Sequence, residues 1–124
     1  MQFTDYLSIT LKIIVSLSIL NVWLVQFNKP TRWRGGDAKT ILEEFKVYGL
    51  SKTQYYIIGF LKISLALVLL VSIQFQNLTL LGSLGLALLL LGSIAMHLKI
   101  KDPLYKSFPA FLFLVMTVVI AILA

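Results

Sequence analysis

Lys62 is the residue whose type and position best suit chemistry. It stands about eleven residues past Ser51, inside a long apolar stretch. A lysine near the middle of a membrane costs ~2.5 to 3.5 kcal/mol on insertion scales, so such residues usually face other helices and have partners. Gly59 and Ala66 share its helix face, and small residues let a second helix approach closely. We therefore expect Lys62 and Gly59 to border a pocket in which the ammonium group contacts the polar end of a ligand.

Several polar residues are candidates to meet Lys62 in that pocket. Asn21 lies at roughly the same depth in an earlier apolar stretch and can hydrogen-bond the lysine directly. His97 lies at the end of another stretch, where a helix C-terminus favours a cation, so a capping role and a ligand contact both stay open. The carboxylates on the same side are Glu43, Glu44 and Asp102. We hypothesise that one of the two glutamates folds toward Lys62 and closes the pocket.

Catalysis by this chain alone is not expected. The sequence has neither a GxxxxGK[ST] phosphate loop nor an HExxH zinc motif, and no apolar stretch carries paired carboxylates. It contains no cysteine and one histidine, which excludes a thiolate metal site and a haem held between two histidines of one chain. We assign no catalytic residue and no metal site.

The elements that position these residues must be membrane helices. The chain has 124 residues, of which 59% are hydrophobic and 13% are charged, more apolar surface than one small soluble core can bury. Its mean hydropathy of +0.93 excludes a disordered chain. The net charge is +6, but nucleic-acid binding needs basic residues gathered on one exposed surface with stacking aromatics between them, so we expect no such partner.

Four apolar stretches of about 20 residues are each long enough to span a bilayer. The predicted spans are 7–27, 54–75, 78–98 and 104–124. They form an all-α integral membrane four-helix bundle, with one domain over the whole chain. A capping-box pattern at 51–54 begins the second span, and Asp102 with Pro103 begins the fourth. Pro109 should then kink the fourth span. The loop at 76–77 is so short that the second and third spans must be antiparallel neighbours.

The first long loop contains an amphipathic helix at about 38–48, ended by Gly49. Its apolar residues recur at helical spacing. They are Ile41, Leu42, Phe45 and Tyr48. This helix lies in the membrane interface as an anchor or folds back as a lid over the bundle. Trp33, which is flanked by Arg32 and Arg34, fits an anchor beside anionic head groups.

Two further predictions concern helix faces. In the third span, small and polar residues fall within an arc of roughly 140° at 100° per residue, and we expect this arc to pack against another helix. The arc contains Gly82, Gly85, Gly92 and Ser93. In the first span, Lys12 points away from Asn21 and lies near the outer end, where its side chain can reach the interface.

Orientation follows from the lysines and arginines, because short loops rich in them are retained in the cytoplasm. All of these residues except Lys12 and Lys62 lie in the segments 28–53 and 99–106, which share one side of a four-span chain. We expect both basic loops to be cytoplasmic and both termini to be non-cytoplasmic, in a bacterial inner membrane.

The sequence resembles the DoxX-like family of small four-span membrane proteins. The resemblance is carried by a G-x-x-K pattern at Gly59 and Lys62, and by a G-x-x-x-x-H-L-x-x-x-D-P block that runs from Gly92 through His97 to Pro103. Phe108-Pro109-Ala110, at the start of the last span, also resembles the family pattern. Ser93 stands where the family often has alanine, and Lys101 stands where glycine is frequent.

This resemblance implies a four-helix membrane fold and a role as an accessory subunit. The wider family takes its name from a small subunit of a thiosulfate:quinone oxidoreductase, and its members include a receptor-assembly chaperone. No catalytic assignment carries over to Gly59, Lys62, His97 or Asp102. We therefore expect an accessory protein that binds a lipid-soluble ligand, such as a quinone or a lipid, or that serves as a small membrane subunit of an oxidoreductase.

Two alternative functions stay open. In the first, the Gly82 to Gly92 face and the amphipathic helix bind another membrane protein or a second copy of the chain, and there is no ligand. The second alternative is a small transporter. It has less support, because four short spans show no broken helices and no polar stripe through the whole membrane.

Overall fold

The computed structural model describes residues 1–124, and every regular element in it is helical. Helix α1 covers Phe3–Leu20 and continues as a π-helical turn over Asn21–Val25. The other helices are α2 (Ile41–Tyr48), α3 (Lys52–Val71), α4 (Thr79–Lys99) and α5 (Phe108–Leu123). Short 3-10 turns precede α4 at Gln76–Leu78 and α5 at Leu104–Ser107. The prediction of an all-α four-helix bundle with a short extra helix is confirmed.

The four long helices form a closed bundle in which each packs against two others. Helix α1 contacts α3 and α5, and α4 contacts the same two helices from the opposite side. All four are long and apolar enough to cross a membrane. Their exposed surface is rich in Leu, Ile, Val and Phe, as a lipid-facing surface requires.

Local capping explains where several helices begin and end. Ser51 Oγ accepts a hydrogen bond from the Gln54 backbone N–H at 3.1 Å, and Gln54 Oε1 accepts one from the Ser51 N–H at 2.8 Å, which is the predicted capping box. Thr40 Oγ1 accepts a hydrogen bond from the Glu43 N–H at 3.1 Å and begins α2. Gly49 ends α2 with φ of 84°, a conformation that glycine adopts without steric penalty.

The start of the fourth span differs from the prediction. Pro109 lies in the first turn of α5, where its missing N–H removes no helical hydrogen bond, so the predicted kink is absent. The prediction that Asp102 caps this span is also wrong, because Pro103 precedes the 3-10 turn and the Asp102 carboxylate bonds to His97 instead.

The glycines of α4 have different surroundings. A Cβ at Gly82 would lie 3.1 Å from the backbone of Leu69, and one at Gly85 would lie 2.9 Å from the Leu65 side chain. Both glycines therefore let α3 and α4 approach closely. A Cβ at Gly92 would meet nothing within 4 Å, so the prediction of close helix packing at Gly92 is wrong.

Lys12 also differs from the prediction, because its side chain is 0% exposed and does not reach the interface. Its Nζ donates to Ser72 O at 3.2 Å and to Thr79 Oγ1 at 3.0 Å. The Ser72 carbonyl is at the C-terminus of α3, where the helix dipole stabilises a cation. Lys12 thus joins α1 to the turn between α3 and α4.

Helix α2 folds back against the bundle rather than lying apart from it. The side chains of Ile41, Phe45 and Tyr48 are buried, and α2 contacts both α3 and α4. Of the two placements that the sequence left open, the structure therefore shows the lid. It covers the end of the bundle that carries the two basic loops, which we call the loop end.

Candidate functional site

A cavity of about 480 Å³ lies beneath α2 at the loop end of the bundle. Most of its wall is apolar, and a few polar groups converge in it, as in many sites for small apolar molecules. The polar wall residues are Arg34, Glu44, Tyr48, Gln54, Lys62, Ser93 and His97. Four separate elements supply them, so the site exists only when α2 and the first loop are folded onto the bundle.

Lys62 reaches into this cavity from α3. Its Nζ donates one hydrogen bond, to Ser93 Oγ at 3.0 Å, and lies 5.8 Å from the centre of the Trp23 ring, within the range of a cation–π contact. No carboxylate lies within 4.0 Å of the ammonium group. An ammonium group has three donors, so the position of Lys62 leaves donor capacity for a bound molecule.

Trp23 forms the wall behind Lys62, and its place depends on Gly59. A Cβ at Gly59 would lie 2.7 Å from the Trp23 ring, so only glycine allows the indole to approach α3 this closely. The rings of Phe45 and Tyr55 contact the other sides of the indole, with centroids 6.0 and 5.6 Å away. Sequence reasoning missed Trp23 because its apolar surroundings resembled those of any lipid-facing aromatic residue.

Arg34 does not lie beside head groups as predicted, because it is only 6% exposed. Its Nη2 donates to Gln26 O at 2.6 Å and Lys29 O at 3.1 Å, while its buried Nε has no hydrogen-bond partner. Burial lowers the pKa of the guanidinium, and the nearby Glu44 carboxylate opposes that shift. The neighbouring Trp33 ring packs near Tyr105 and is covered by the Arg32 guanidinium.

Neither glutamate forms the predicted ion pair with Lys62. Glu43 is exposed and accepts a hydrogen bond from the Lys39 backbone N–H at 2.7 Å. Glu44 does line the cavity, but its Oε2 accepts a hydrogen bond from the Gly35 N–H at 2.6 Å. The side chain of Glu44 is thus used to hold the first loop over the bundle.

His97 and Asp102 form a buried pair at the end of α4. The His97 Nδ1 lies 2.7 Å from Asp102 Oδ2, and its Nε2 lies 3.4 Å from the Tyr48 hydroxyl. Asp102 Oδ1 also accepts a hydrogen bond from the Gly36 N–H at 3.0 Å and lies 3.9 Å from Lys106 Nζ. These contacts join α4, the first loop and α2, and leave Asp102 too engaged to be a partner for Lys62.

A second cavity, of about 330 Å³, lies on the other side of the same polar residues, next to α1 and α5. Asn21 borders this cavity, but its side chain makes no hydrogen bond to Lys62, so the predicted direct contact is absent. The residues that border both cavities include Arg34, Glu44, Lys62, Ser93 and His97.

The cavity beneath α2 opens sideways between α3 and α4. Ile57 on α3 is 52% exposed and Leu88 on α4 is 69% exposed, and both side chains also line the cavity. Gly92 lies beside this opening, where the absence of a side chain leaves open space. No group of His, Cys, Asp and Glu side chains that could hold a metal ion is present.

Comparison with known proteins gives one match. Residues 33–120 match the DoxX-like family, a range that includes Lys62, His97 and Asp102. No curated protein and no solved structure matches the chain. Four apolar helices and this match make the chain a multi-pass membrane protein. Because the matched range covers most of its length, the protein belongs to the DoxX-like family.

Proposed function

We propose that this DoxX-like protein binds a lipid-soluble ligand in the cavity beneath α2 and acts as an accessory protein of the membrane. The proposal rests on the position of Lys62, which faces an apolar cavity and has Ser93 as its only hydrogen-bond partner. A cation at this depth is costly without partners. A ligand with an oxygen acceptor, such as a quinone carbonyl or a lipid head group, would supply one.

The sideways opening supports the same proposal. A water-soluble ligand would have to pass α2 and the first loop, which Glu44 and Asp102 hold closed through backbone N–H groups of Gly35 and Gly36. The gap at Ile57 and Leu88 lies between two helices that are long and apolar enough to cross a membrane, where it would face lipid. Access from the bilayer therefore favours an apolar molecule with a small polar end.

The alternative without a ligand would have to use surfaces that the chain itself partly covers. Gly82 and Gly85 already pack against α3 of the same chain. The apolar side of α2 is buried on the bundle. A membrane-protein partner, such as an oxidoreductase subunit, or a second copy of the chain would therefore bind an outer face that the chain leaves exposed. Affinity purification in mild detergent would identify such a partner.

The ligand proposal is tested by filling the cavity. In Gly92→Leu the new side chain enters open space, so the fold should persist while the opening is blocked. We expect native mass spectrometry of the wild type to show a bound lipid-soluble molecule and Gly92→Leu to lack it. Leu91→Phe, at an exposed neighbouring position, is the matched control and should keep the molecule. Equal occupancy of wild type and Gly92→Leu would contradict the proposal.

We also propose that the loop end faces the cytoplasm of a bacterial inner membrane, with both termini outside. The basic residues of the two loops at this end support that orientation. The chain has no cysteine, so single introduced cysteines can report its orientation. Asp37→Cys is exposed at the loop end and Gln2→Cys is exposed near the N-terminus. A membrane-impermeant maleimide added to intact spheroplasts should label Gln2→Cys alone, and the reverse pattern would contradict the orientation.

A further inference from the structure

The charges around the cavity are unbalanced. Its wall contains two basic side chains, Arg34 and Lys62, and one carboxylate, Glu44. The only ion pairs in the whole chain are those of Asp102 with His97 and with Lys106. Neither Arg34 nor Lys62 therefore has a carboxylate within 4.0 Å.

Both cations also have unused hydrogen-bond donors. The Arg34 Nε is buried and unpartnered, although the same guanidinium donates twice through Nη2. Lys62 donates only to Ser93. Buried polar groups in proteins are almost always hydrogen-bonded, so an exception calls for a missing partner. Arg34 Nε is one of two such exceptions in the chain, the other being Ser16 Oγ in α1, and the Arg34 side chain borders the cavity.

We propose that the cavity binds an amphiphile with one anionic oxygen head group, a carboxylate or a phosphate ester, and that its apolar chain leaves between α3 and α4. This inference rests on the proposed function and names the class of ligand. The head group would accept hydrogen bonds from Lys62 and Arg34 and would balance the excess positive charge of the wall. Charge-assisted bonds of this kind are about twice as strong as those between neutral groups.

The shape of the cavity fits such a molecule. Its polar residues lie under α2, while the opening at Ile57 and Leu88 is apolar and faces lipid. A chain that starts at Lys62 can therefore pass Gly92 and continue into the bilayer. A neutral quinone would accept hydrogen bonds from the same donors but would leave the charge of the wall unbalanced. The test must therefore distinguish an anionic ligand from a neutral one.

Trp23 provides a direct probe, because its ring lies 5.8 Å from Lys62 Nζ. The chain has two tryptophans, so Trp33→Phe leaves Trp23 as the only one. Bromine quenches indole fluorescence at close range. We would titrate this variant in detergent with dibrominated stearic acid and with its methyl ester, which has the same chain and no charge. Quenching by the acid should saturate at concentrations roughly tenfold lower than quenching by the ester.

Matched variants show which groups recognise the head. Lys62→Met should weaken binding of the acid roughly tenfold and leave binding of the ester unchanged. Lys52→Met, the same substitution at an exposed position of the same helix, should change neither. Gly92→Leu should abolish saturable quenching by both. Brominated phosphatidylglycerol and phosphatidylcholine then distinguish an acidic phospholipid from a free fatty acid as the source of the anion.

The outcomes separate this inference from the function on which it rests. Equal quenching by acid and ester, with no effect of Lys62→Met, would overturn the anionic head group while leaving a ligand cavity. Quenching that persists in Gly92→Leu, or no saturable quenching by any brominated compound, would overturn binding in the cavity itself. The comparison of acid with ester needs no substitution at Lys62 and so does not depend on how well that variant folds.

Discussion

Lys12 Nζ donates a hydrogen bond to Thr79 Oγ1 at 3.0 Å, across 67 residues of sequence. Both side chains are fully or almost fully buried. The same ammonium group binds Ser72 O, so one lysine of α1 holds the C-terminus of α3 and the first residue of α4. The α3–α4 hairpin is thereby fixed against α1 at the end of the bundle opposite the candidate site.

This relationship predicts strong coupling between the two residues. Thr79→Val alone should lower the free energy of unfolding by about 1 to 3 kcal/mol, because a charged donor loses a buried acceptor. In a Lys12→Met background the same change should cost almost nothing, since the ammonium is already gone while the apolar stem is kept. Unfolding of all four proteins in one mixed-micelle system measures the coupling. Simple additivity of the two substitutions would show that the bond contributes nothing.

Lys12 also shows what local pattern can and cannot predict. The spans, α2 and the capping box follow from helix length, apolar periodicity and neighbouring residues, which are local properties. The partners of Lys12 depend on which helices are neighbours and on their vertical offset, which no single span contains. The Asp5 carboxylate, which accepts a hydrogen bond from the Gln2 N–H at 2.9 Å, was a signal that α1 begins early and that Lys12 lies deep.

In the candidate site, too, some residues can be predicted from local sequence and others cannot. Lys62 could be singled out because a lysine in an apolar span is unusual. The residues that share the cavity with Lys62 could not be predicted, because Ser93 was expected to pack against a helix and Arg34 was assigned to the surface. Arg34 is buried only because the first loop folds over the bundle, a tertiary arrangement that its own neighbours do not encode.

Gly59 and Gly92 should respond oppositely to the same substitution. A Cβ at Gly59 would lie 2.7 Å from the Trp23 ring, which Phe45 and Tyr55 hold in place. We expect Gly59→Ala to cost about 1 to 3 kcal/mol and to change the Trp23 fluorescence. Gly92→Ala meets open space and should be neutral or stabilise by up to about 1 kcal/mol. Thermal unfolding of both variants in the same detergent checks the pair, and equal losses would show that Trp23 does not need Gly59.

Lys101 is the only residue other than glycine with a positive φ, at 59°. Its side chain is exposed and makes no hydrogen bond to the rest of the chain. We expect Lys101→Gly to raise the free energy of unfolding by about 1 kcal/mol, because the left-handed conformation penalises a side chain. Gly49→Ala, at φ of 84°, is the opposite control and should lower it by a similar amount. A loss of stability in Lys101→Gly would show that the lysine side chain stabilises the fold by more than its left-handed backbone conformation costs.

Tyr48 should make the protein sensitive to alkaline pH. This side chain in α2 is 4% exposed, and burial, followed by the Glu44 and Asp102 charges, raises the pKa of its phenol above the ordinary value of about 10. The folded protein therefore keeps a proton that the unfolded chain releases. The stabilisation is fully present below pH ~10 and decreases as the pH rises above it, by up to about 1.4 kcal/mol per pH unit.

Tyr48→Phe removes that proton together with the contact to His97 Nε2. We expect the variant to be less stable at neutral pH by about 1 kcal/mol, and to lose less stability than the wild type between pH 9 and 11, a window of about one unit on each side of the ordinary value. Denaturant titrations at each pH measure both effects. Tyr105→Phe, at a half-exposed position, is the control and should keep the wild-type slope. A wild-type slope in Tyr48→Phe would mean that the phenol reaches solvent, and that α2 does not stay closed over the cavity.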